Sequence, residues 1–318
     1  MRPSPLRWLL ASVIMLSPLP VLAQATAYVS AWDTLYRLDL ATGQASRIGN
    51  GIGFNDVEGL AISPQGILYG VADGTVGSGS ELTDFLVRID TTTGAGTLVG
   101  ALSGLSGQGP NNQLDYGLAF TCDGKLWASS DTTGLLWEVN PSNAAVREIG
   151  NTGAPLSGLG GRGNQLYGIG VQNGFGDRAQ QALYRIDPSN ARASRIGSLD
   201  MNLTLSSSGA DFDASGTLWA TLDSQPPDVD VPSRLARIDL ETGQAQVVAS
   251  ISGITHNVSV RGMAIAPPAD CDDPNNNGGG IGGPGGLAAH PVPGPGVPAL
   301  VVFGLVALGF ARRSLRRG

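Results

Sequence analysis

The sequence predicts an all-β fold, a five-bladed β-propeller with four strands in each blade. One strand motif occurs five times at intervals of about 50 residues, a period typical of propellers. A second, glycine-led motif also occurs five times. The composition agrees, because 47 glycines and 20 prolines in 318 residues suit many short strands joined by tight turns. Six blades is the alternative count, and few helices are expected.

The first motif is an alternating apolar run that ends in an acid or amide, which is the pattern of a half-buried strand. In three copies a glycine follows the Asp by four residues, where a hairpin loop commonly needs a positive φ. In the other two copies, Asn143 and Asn190 are expected to take this role. The five copies are Leu35–Asp39, Leu86–Asp90, Leu136–Asn140, Leu183–Asp187 and Leu235–Asp239.

The second motif predicts the inner strand of each blade, where small residues suit the crowded central axis. A leucine-aromatic pair follows most copies after a short turn and predicts the second strand. The chain starts with a second strand at 26–32 and ends with an unpaired inner strand, so we expect the C-terminal strand to complete the first blade. The inner strands begin at Gly59, Gly117, Gly158, Gly209 and Gly262.

Both ends of the chain carry features of export. Residues 1–23 combine a basic start, an apolar run and a small-residue cleavage site, which predicts a signal peptide. The propeller is assigned to 24–268, and an Asn-, Gly- and Pro-rich linker to 269–296. Residues 297–318 are predicted to be a hydrophobic anchor or sorting tail with an arginine cluster. Its apolar stretch, 297–311, is expected to contact a membrane and hold the propeller outside the cytoplasm.

The tail resembles a known type of sorting signal. Val292–Pro295 is followed by the apolar stretch and the arginine cluster, and this order resembles the PEP-CTERM signal of Gram-negative bacteria. Pro293-Gly294-Pro295 stands where that signal has Pro-Glu-Pro, and Val297–Leu300 is similar to the related Ile-Pro-Thr-Leu signal. The resemblance implies an exosortase as partner. It also implies a location in the cell envelope, at the outer surface or in the extracellular matrix.

The exported part of the chain is acidic. The whole chain has 19 Lys and Arg residues, of which six lie in the predicted signal and tail, so 13 basic residues oppose 26 Asp and Glu in the exported part. An acidic surface repels phosphate backbones and attracts divalent cations. No nucleic-acid partner is therefore expected.

The residue just before each inner glycine differs from blade to blade, which predicts a ligand-binding rim at the mouth of the channel. The lone propeller histidine lies close to this rim in the sequence and cannot by itself define a metal site. The rim candidates are Glu58, Tyr116, Ser157, Ser208 and Arg261, with His256 as the nearby histidine.

Carboxylates near the rim suggest a catalytic alternative. Glu58 paired with Asp115 or Asp211 would supply the acid and base of a glycoside hydrolase. The structural interpretation instead pairs Glu58 with Arg261 as an ion pair across the ring closure.

Four second strands end at an aspartate. Together these side chains would hold a Ca²⁺ ion through oxygen ligands, or each would cap its own loop by accepting from backbone N–H groups. Apart from this candidate ion, no cofactor is expected. The four residues are Asp33, Asp73, Asp131 and Asp223.

The chain has two cysteines, Cys122 and Cys271. In an oxidising compartment they are candidates for a disulfide. Their predicted blades are not adjacent, and the sequence separation alone does not decide the pairing.

Two main functional hypotheses follow. The first is a binding module displayed at the envelope or cell surface, which recognises a polysaccharide or protein ligand and needs no catalytic residues. The second is a secreted glycoside hydrolase or lyase with carboxylates at the channel mouth. A structural component of an extracellular matrix is a third. The variable rim favours the binding module.

Overall fold

The computed structural model describes residues 25–73, 84–105, 115–172, 178–224, 231–254, 258–268 and 271. The strands of the first half are β1 (Thr26–Ala31), β2 (Thr34–Leu38), β3 (Ala45–Ile48), β4 (Asn55–Ile62), β5 (Leu68–Asp73), β6 (Phe85–Ile89), β7 (Gly96–Ala101), β8 (Tyr116–Phe120), β9 (Leu126–Ser130) and β10 (Leu135–Val139). Those of the second half are β11 (Val146–Asn151), β12 (Leu156–Arg162), β13 (Gln165–Gly170), β14 (Ala182–Ile186), β15 (Ala193–Ser198), β16 (Leu205–Phe212), β17 (Leu218–Ser224), β18 (Arg234–Ile238), β19 (Ala245–Ser250) and β20 (Gly262–Ala266). A short 3₁₀ helix spans Arg178–Gln180.

These strands form five antiparallel sheets of four strands each, and the chain is a five-bladed β-propeller. Blades 2 to 5 run in order from β4, β8, β12 and β16 as inner strands to β7, β11, β15 and β19 as outer strands. Blade 1 takes its inner strand from the C-terminus, since β20 pairs with β1 and places Gly262 opposite Ser30. The predictions of five blades, four strands per blade and closure by the C-terminal strand are confirmed.

The inner strands pack edge to edge in a ring, in the order β4, β8, β12, β16, β20 and back to β4. Glycine is required where each inner strand approaches the next. A Cβ on Gly59 would lie 2.8 Å from the carbonyl oxygen of Tyr116, and one on Gly117 would lie 2.8 Å from that of Ser157. Real Cβ atoms do not come so close to backbone, so the glycine-led motif permits the close contact of neighbouring blades.

The apolar core is divided into five clusters, one between each pair of adjacent blades. Leu60 and Leu68 of blade 2, for example, pack with Leu35 of blade 1, and Trp137 of blade 3 packs with Leu86 of blade 2. The other three clusters join blades 3 and 4, blades 4 and 5, and blades 5 and 1. Each blade is thus held by the two blades beside it.

The turns between third and outer strands are Asx turns, as their aspartates suggest. Asp39 Oδ1 accepts from the amides of Ala41 and Thr42, at 2.8 and 3.0 Å. These amide donors lower the pKa of Asp39. The positive φ lies four residues after the acid or amide, at Gly43 (72°).

In two blades the prediction for this turn was wrong. The positive φ falls on Ala144 (59°) and Ala191 (64°), not on Asn143 and Asn190. Each asparagine occupies the position of Thr42, and its Oδ1 accepts from the amide two residues later. The alanines are fully buried, and a Cβ added to Gly100 would lie 3.2 Å from the Cβ of Ala144. Packing against the preceding blade therefore fills the left-handed position with a methyl group.

A disulfide joins Cys122, in the turn between β8 and β9, to Cys271, beyond β20. The two cysteines belong to blades 3 and 1, which are not neighbours in the ring. The chain after β20 therefore crosses from blade 1 to blade 3 at the end of the channel where the inner strands finish. We call this end the lower mouth, and the end where the inner strands begin the upper mouth.

Several predicted features lie outside the described residues: the signal peptide at 1–23, His256, the linker at 269–296 apart from Cys271, and the tail at 297–318. In the described part of the chain, no helix has the length and apolar character needed to span a bilayer.

Candidate functional site

The upper mouth carries the most varied connections of the propeller. At the lower mouth the connections between strands are two to six residues long, whereas at the upper mouth they range from two to 14 residues. All five predicted rim residues lie at the upper mouth, close to the start of their inner strands. Four of them are buried, and Arg261 is partly exposed. Most of these side chains therefore contribute to contacts between blades and do not line an open rim.

Arg261 is the centre of a charged cluster built from three blades. It precedes β20 of blade 1, while Asp56 and Glu58 lie on β4 of blade 2 and Asp115 precedes β8 of blade 3. Its Nη1 contacts Asp56 Oδ2 at 3.2 Å, Asp115 Oδ1 at 2.9 Å and Glu58 Oε1. We call these four residues the Arg261 cluster. The suggested ion pair between Glu58 and Arg261 is present, and it belongs to a larger group.

Members of the Arg261 cluster differ in their access to solvent. The side chain of Glu58 is only 3% exposed, whereas those of Asp56, Arg261 and Asp115 are 16%, 29% and 35% exposed. Glu58 is further held because its Oε2 accepts from the amide of Tyr116 at 3.1 Å. Glu58 thus supports the cluster from below, while the other three present polar atoms at the surface.

More carboxyl groups surround this cluster. Asp84 accepts a hydrogen bond from the hydroxyl of Tyr116, and both side chains are buried. Burial and the charge of Asp84 raise the pKa of Asp73 to about 7. Burial and the charge of Asp115 raise the pKa of Asp131 to about 8. The blades around Arg261 therefore hold more acidic groups than one guanidinium neutralises.

Glu58 and Asp56 also have raised pKa values. Burial and the neighbouring charge of Asp115 raise the pKa of Glu58 well above its usual value, despite the opposing effect of Arg261. Burial raises that of Asp56. Asp56 also has a φ of 38°, which is unusual for a residue with a side chain. Backbone strain and crowded carboxyl groups thus coincide at one point of the upper mouth.

The rim residues of blades 4 and 5 are neutral. Ser157 of blade 4 accepts from the amide of Ser208 through its Oγ at 3.0 Å and donates to the Ser208 carbonyl at 3.4 Å. Both serines are fully or almost fully buried. The rim is therefore asymmetric, with its charge in blades 1 to 3.

The four aspartates proposed as a calcium ring occupy different environments. Asp33 is exposed, Asp73 is partly buried, and Asp131 is buried. Asp223 accepts from three serine hydroxyls at 2.6 to 3.4 Å: Ser206 on β16, Ser233 in the loop before β18 and Ser259 in the connection before β20. Among the described residues, no group of three or more His, Cys, Asp or Glu side chains is arranged to hold a metal ion. A calcium site stays a prediction.

Strand register shows that Asp33 is not equivalent to the other aspartates. Thr221 stands opposite the inner-strand Gly209, and Asp223 follows two residues later. Ser30 stands opposite Gly262 in the same way, so the residue equivalent to Asp223 in blade 1 is Trp32. The sequence did not reveal that Trp32 takes this position, because Asp33 follows it directly and resembles the aspartates that end the other second strands.

The two candidate catalytic pairs differ. Glu58 and Asp115 meet at Arg261, but Asp211 lies three residues beyond the rim position of β16, about 10 Å along the strand. Asp211 is partly buried, and its carboxyl group accepts from the amides of Phe212 and Ile265, both at 2.8 Å. The structure thus brings Glu58 to Asp115 and keeps Asp211 at the contact between β16 and β20.

A shallow cavity of about 330 Å³ lies elsewhere, along blade 3 near the lower mouth. Its charged lining residues are already paired, Lys125 with Asp123 and Arg147 with Glu138. This cavity is separate from the Arg261 cluster.

Comparisons with known proteins identify no family: no family model matches the chain, and no curated protein is similar to it. Among solved structures, the chain is similar to a chain of a nidogen/laminin complex, with 13% identity, a TM-score of 0.46, and 76% of this chain and 98% of that one covered. It is also similar to a protein of unknown function from Bacteroides caccae (12% identity, TM-score 0.40, coverage 71% and 73%) and to one from Bacteroides thetaiotaomicron VPI-5482 (16%, 0.43, 61% and 53%).

Proposed function

We propose that this protein is an exported binding module whose ligand docks at the upper mouth, on the Arg261 cluster. The observation that carries this proposal is the exposure of Asp56, Arg261 and Asp115 at a junction of three blades. Such convergent polar groups on a rigid scaffold are the usual form of a specific binding site.

The difference between the two mouths supports this location. Long connections that vary from blade to blade are typical of binding surfaces supported by a rigid fold. The lower mouth has only short turns, and Cys271 is bonded to Cys122 there. The chain that follows Cys271 therefore starts on the side opposite the proposed site.

The predicted signal peptide and PEP-CTERM-like tail support display at the cell envelope or outer surface. In this proposal an exosortase acts on the tail, the membrane contact is made by residues 297–311, and the propeller faces a polysaccharide or protein ligand.

The arrangement of Glu58 favours binding over hydrolysis. A general acid needs a free edge directed at its substrate, but one oxygen of Glu58 contacts Arg261 and the other accepts from the Tyr116 amide. The Glu58 side chain is also 3% exposed. Its contacts are those of a residue that supports the site.

A ligand screen by thermal shift tests the proposal. The purified full chain is heated with a panel of soluble polysaccharides, peptides and Ca²⁺, and a compound that binds the folded state raises the melting temperature. We expect the shift to fall by at least half in Asp115→Asn. The matched control is Glu241→Gln, an exposed acid in a lower-mouth turn, which should keep the full shift. A shift that is equal in both variants would place the ligand away from the Arg261 cluster.

A further inference from the structure

Trp32 is an exposed aromatic residue at the upper mouth. It forms the connection between β1 and β2 together with Asp33, and it is 54% exposed. In the described ranges, the other large apolar residues with high exposure are aliphatic: Ile67, Leu98 and Val247. An exposed indole offers a large flat apolar face, and its place in a connection at the same mouth as the Arg261 cluster makes it a candidate for contact with the ligand.

The backbone of Trp32 is adjacent to the Arg261 cluster. Its carbonyl oxygen accepts from the amide of Val57 at 2.8 Å, and Val57 lies between Asp56 and Glu58. Two residues before Trp32, the carbonyl oxygen of Ser30 accepts from the amide of Arg261 at 3.3 Å. Trp32 is thus hydrogen-bonded through its backbone to β4, which carries Asp56 and Glu58. It also lies close to the start of β20, which follows Arg261.

The backbone of Trp32 is held in a left-handed conformation, with φ at 55°. A bulky residue rarely adopts this conformation because its Cβ crowds the carbonyl oxygen. In blades 3 and 5 the equivalent residues are the buried Asp131 and Asp223. Blade 1 therefore replaces a buried loop aspartate with an exposed indole.

The polar groups beside Trp32 complement hydroxyl groups. Carboxylates accept hydrogen bonds from hydroxyls, and a guanidinium donates to their oxygens. All three ion pairs of Arg261 with described carboxylates use Nη1. The two other guanidinium nitrogens make no ion pair within the described part of the chain. A flat apolar face next to such donors and acceptors matches a sugar ring, whose C–H face is apolar and whose edge carries hydroxyls.

The charge of the site selects among ligands. The partly exposed carboxylates of Asp56 and Asp115 both contact the single guanidinium of Arg261, so acids outnumber bases at the surface of the cluster. An anionic sugar would be repelled. A basic peptide would be attracted, but it has no specific need for the exposed indole.

We propose that a neutral sugar ring of a polysaccharide stacks on Trp32 while its hydroxyls bond to Asp56, Asp115 and Arg261. This inference rests on the proposed function, because it names the ligand of the same mouth.

Calorimetric titration of the full chain tests it. The probes are the neutral hexasaccharides cellohexaose, chitohexaose and maltohexaose, with nona-arginine as a cationic probe. We expect at least one hexasaccharide to bind. Trp32→Ala should weaken that binding at least tenfold, whereas Trp32→Tyr, which keeps an aromatic face, should weaken it less than about threefold. Leu98→Ala, which removes an equally exposed apolar residue from an outer strand, should leave it unchanged. Far-UV circular dichroism confirms that each variant is folded.

Each other result overturns the inference. Hexasaccharide binding that is unchanged in folded Trp32→Ala would place the sugar elsewhere. Absence of hexasaccharide binding to the unaltered chain would remove the sugar as ligand. In that case, binding of nona-arginine that is lost in Asp115→Asn would leave the proposed function intact with a cationic ligand. No binding by any probe here or in the thermal-shift panel would reject the proposed function too.

Discussion

Single residues at the central axis show how closely the blades pack. Gly59 has a φ of 45°, and its Cα faces the backbone of β8 at a distance that leaves no room for a methyl group. Gly66, in the turn between β4 and β5, also has a positive φ (80°), but a Cβ there would meet nothing within 4 Å. Both glycines have a positive φ, but only Gly59 lacks the space for a Cβ.

We therefore predict that Gly59→Ala destabilises the fold by about 2 kcal/mol more than Gly66→Ala. Both changes place an alanine in the left-handed region, and only the first also forces β4 and β8 apart. Urea denaturation of the two variants measures the difference. Equal losses would mean that conformation alone, and not the contact between blades, explains the glycine.

At the residue scale the sequence suggested the ion pair of Glu58 with Arg261, but not that Asp56 and Asp115 join it. Glu58 and Arg261 are 203 positions apart, and Asp115 and Arg261 are 146 apart. Their meeting depends on the curvature of the ring and on the length of the connections before β8 and β20. No local pattern contains that information.

At the scale of elements, the closing strand β20 is held by more than its pairing with β1. The carboxyl group of Asp211 on β16 accepts from the amide of Ile265 on β20, which joins blade 5 to blade 1. Burial raises the pKa of Asp211 to about 7, although the amides of Ile265 and Phe212 oppose that rise. This aspartate links the two ends of the ring and stands apart from the Arg261 cluster.

We predict that Asp211→Ala lowers the free energy of unfolding by about 2 to 4 kcal/mol, because two buried amides lose their acceptor. The measurement is urea denaturation at pH 5.5, where the Asp211 carboxyl group is mostly protonated. Asp211→Asn keeps an acceptor oxygen and should lose less. Glu241→Ala, on an exposed turn, should change stability by less than about 0.5 kcal/mol. A loss that small in Asp211→Ala would show that strand pairing alone closes the ring.

The elements themselves were well predicted from sequence, since alternation and turn residues are local signals. The turns that follow the third strands were correctly placed for the same reason. The left-handed residue of two turns was not, because Ala144 and Ala191 are selected by the neighbouring blade and not by their own backbone preference. A glycine would satisfy the turn but leave that contact unfilled.

At the scale of the whole molecule, buried acids make stability depend on pH. The pKa of Asp131 is raised to about 8 and that of Asp73 to about 7, with burial as the main cause in both. A carboxyl group whose pKa is higher in the folded than in the unfolded chain binds more protons when folded. Its contribution to stability is therefore largest at low pH and is lost as the pH rises toward the folded-state pKa.

We predict that the free energy of unfolding falls by several kcal/mol between pH 5 and pH 8, and by no more than about 7 kcal/mol, since each pKa unit corresponds to about 1.4 kcal/mol. Asp131→Asn should reduce this fall by at least about 1 kcal/mol, whereas Glu241→Gln should not change it. The turn aspartates, such as Asp39, have lowered pKa values and act in the opposite direction only below this range. Stability that rises from pH 5 to pH 8 would contradict the prediction.

The sequence by itself determined the number of blades, the four strands in each, the closure by β20 and the positions of the Asx turns. These features repeat every 47 to 52 residues or follow from local alternation, so each is encoded within a short stretch of chain. The tertiary structure alone decided that Arg261 meets three carboxylates, that Cys122 bonds to Cys271, and that Trp32 takes the position of an aspartate. These results depend on distances between blades and on strand register, which arise only when the ring closes.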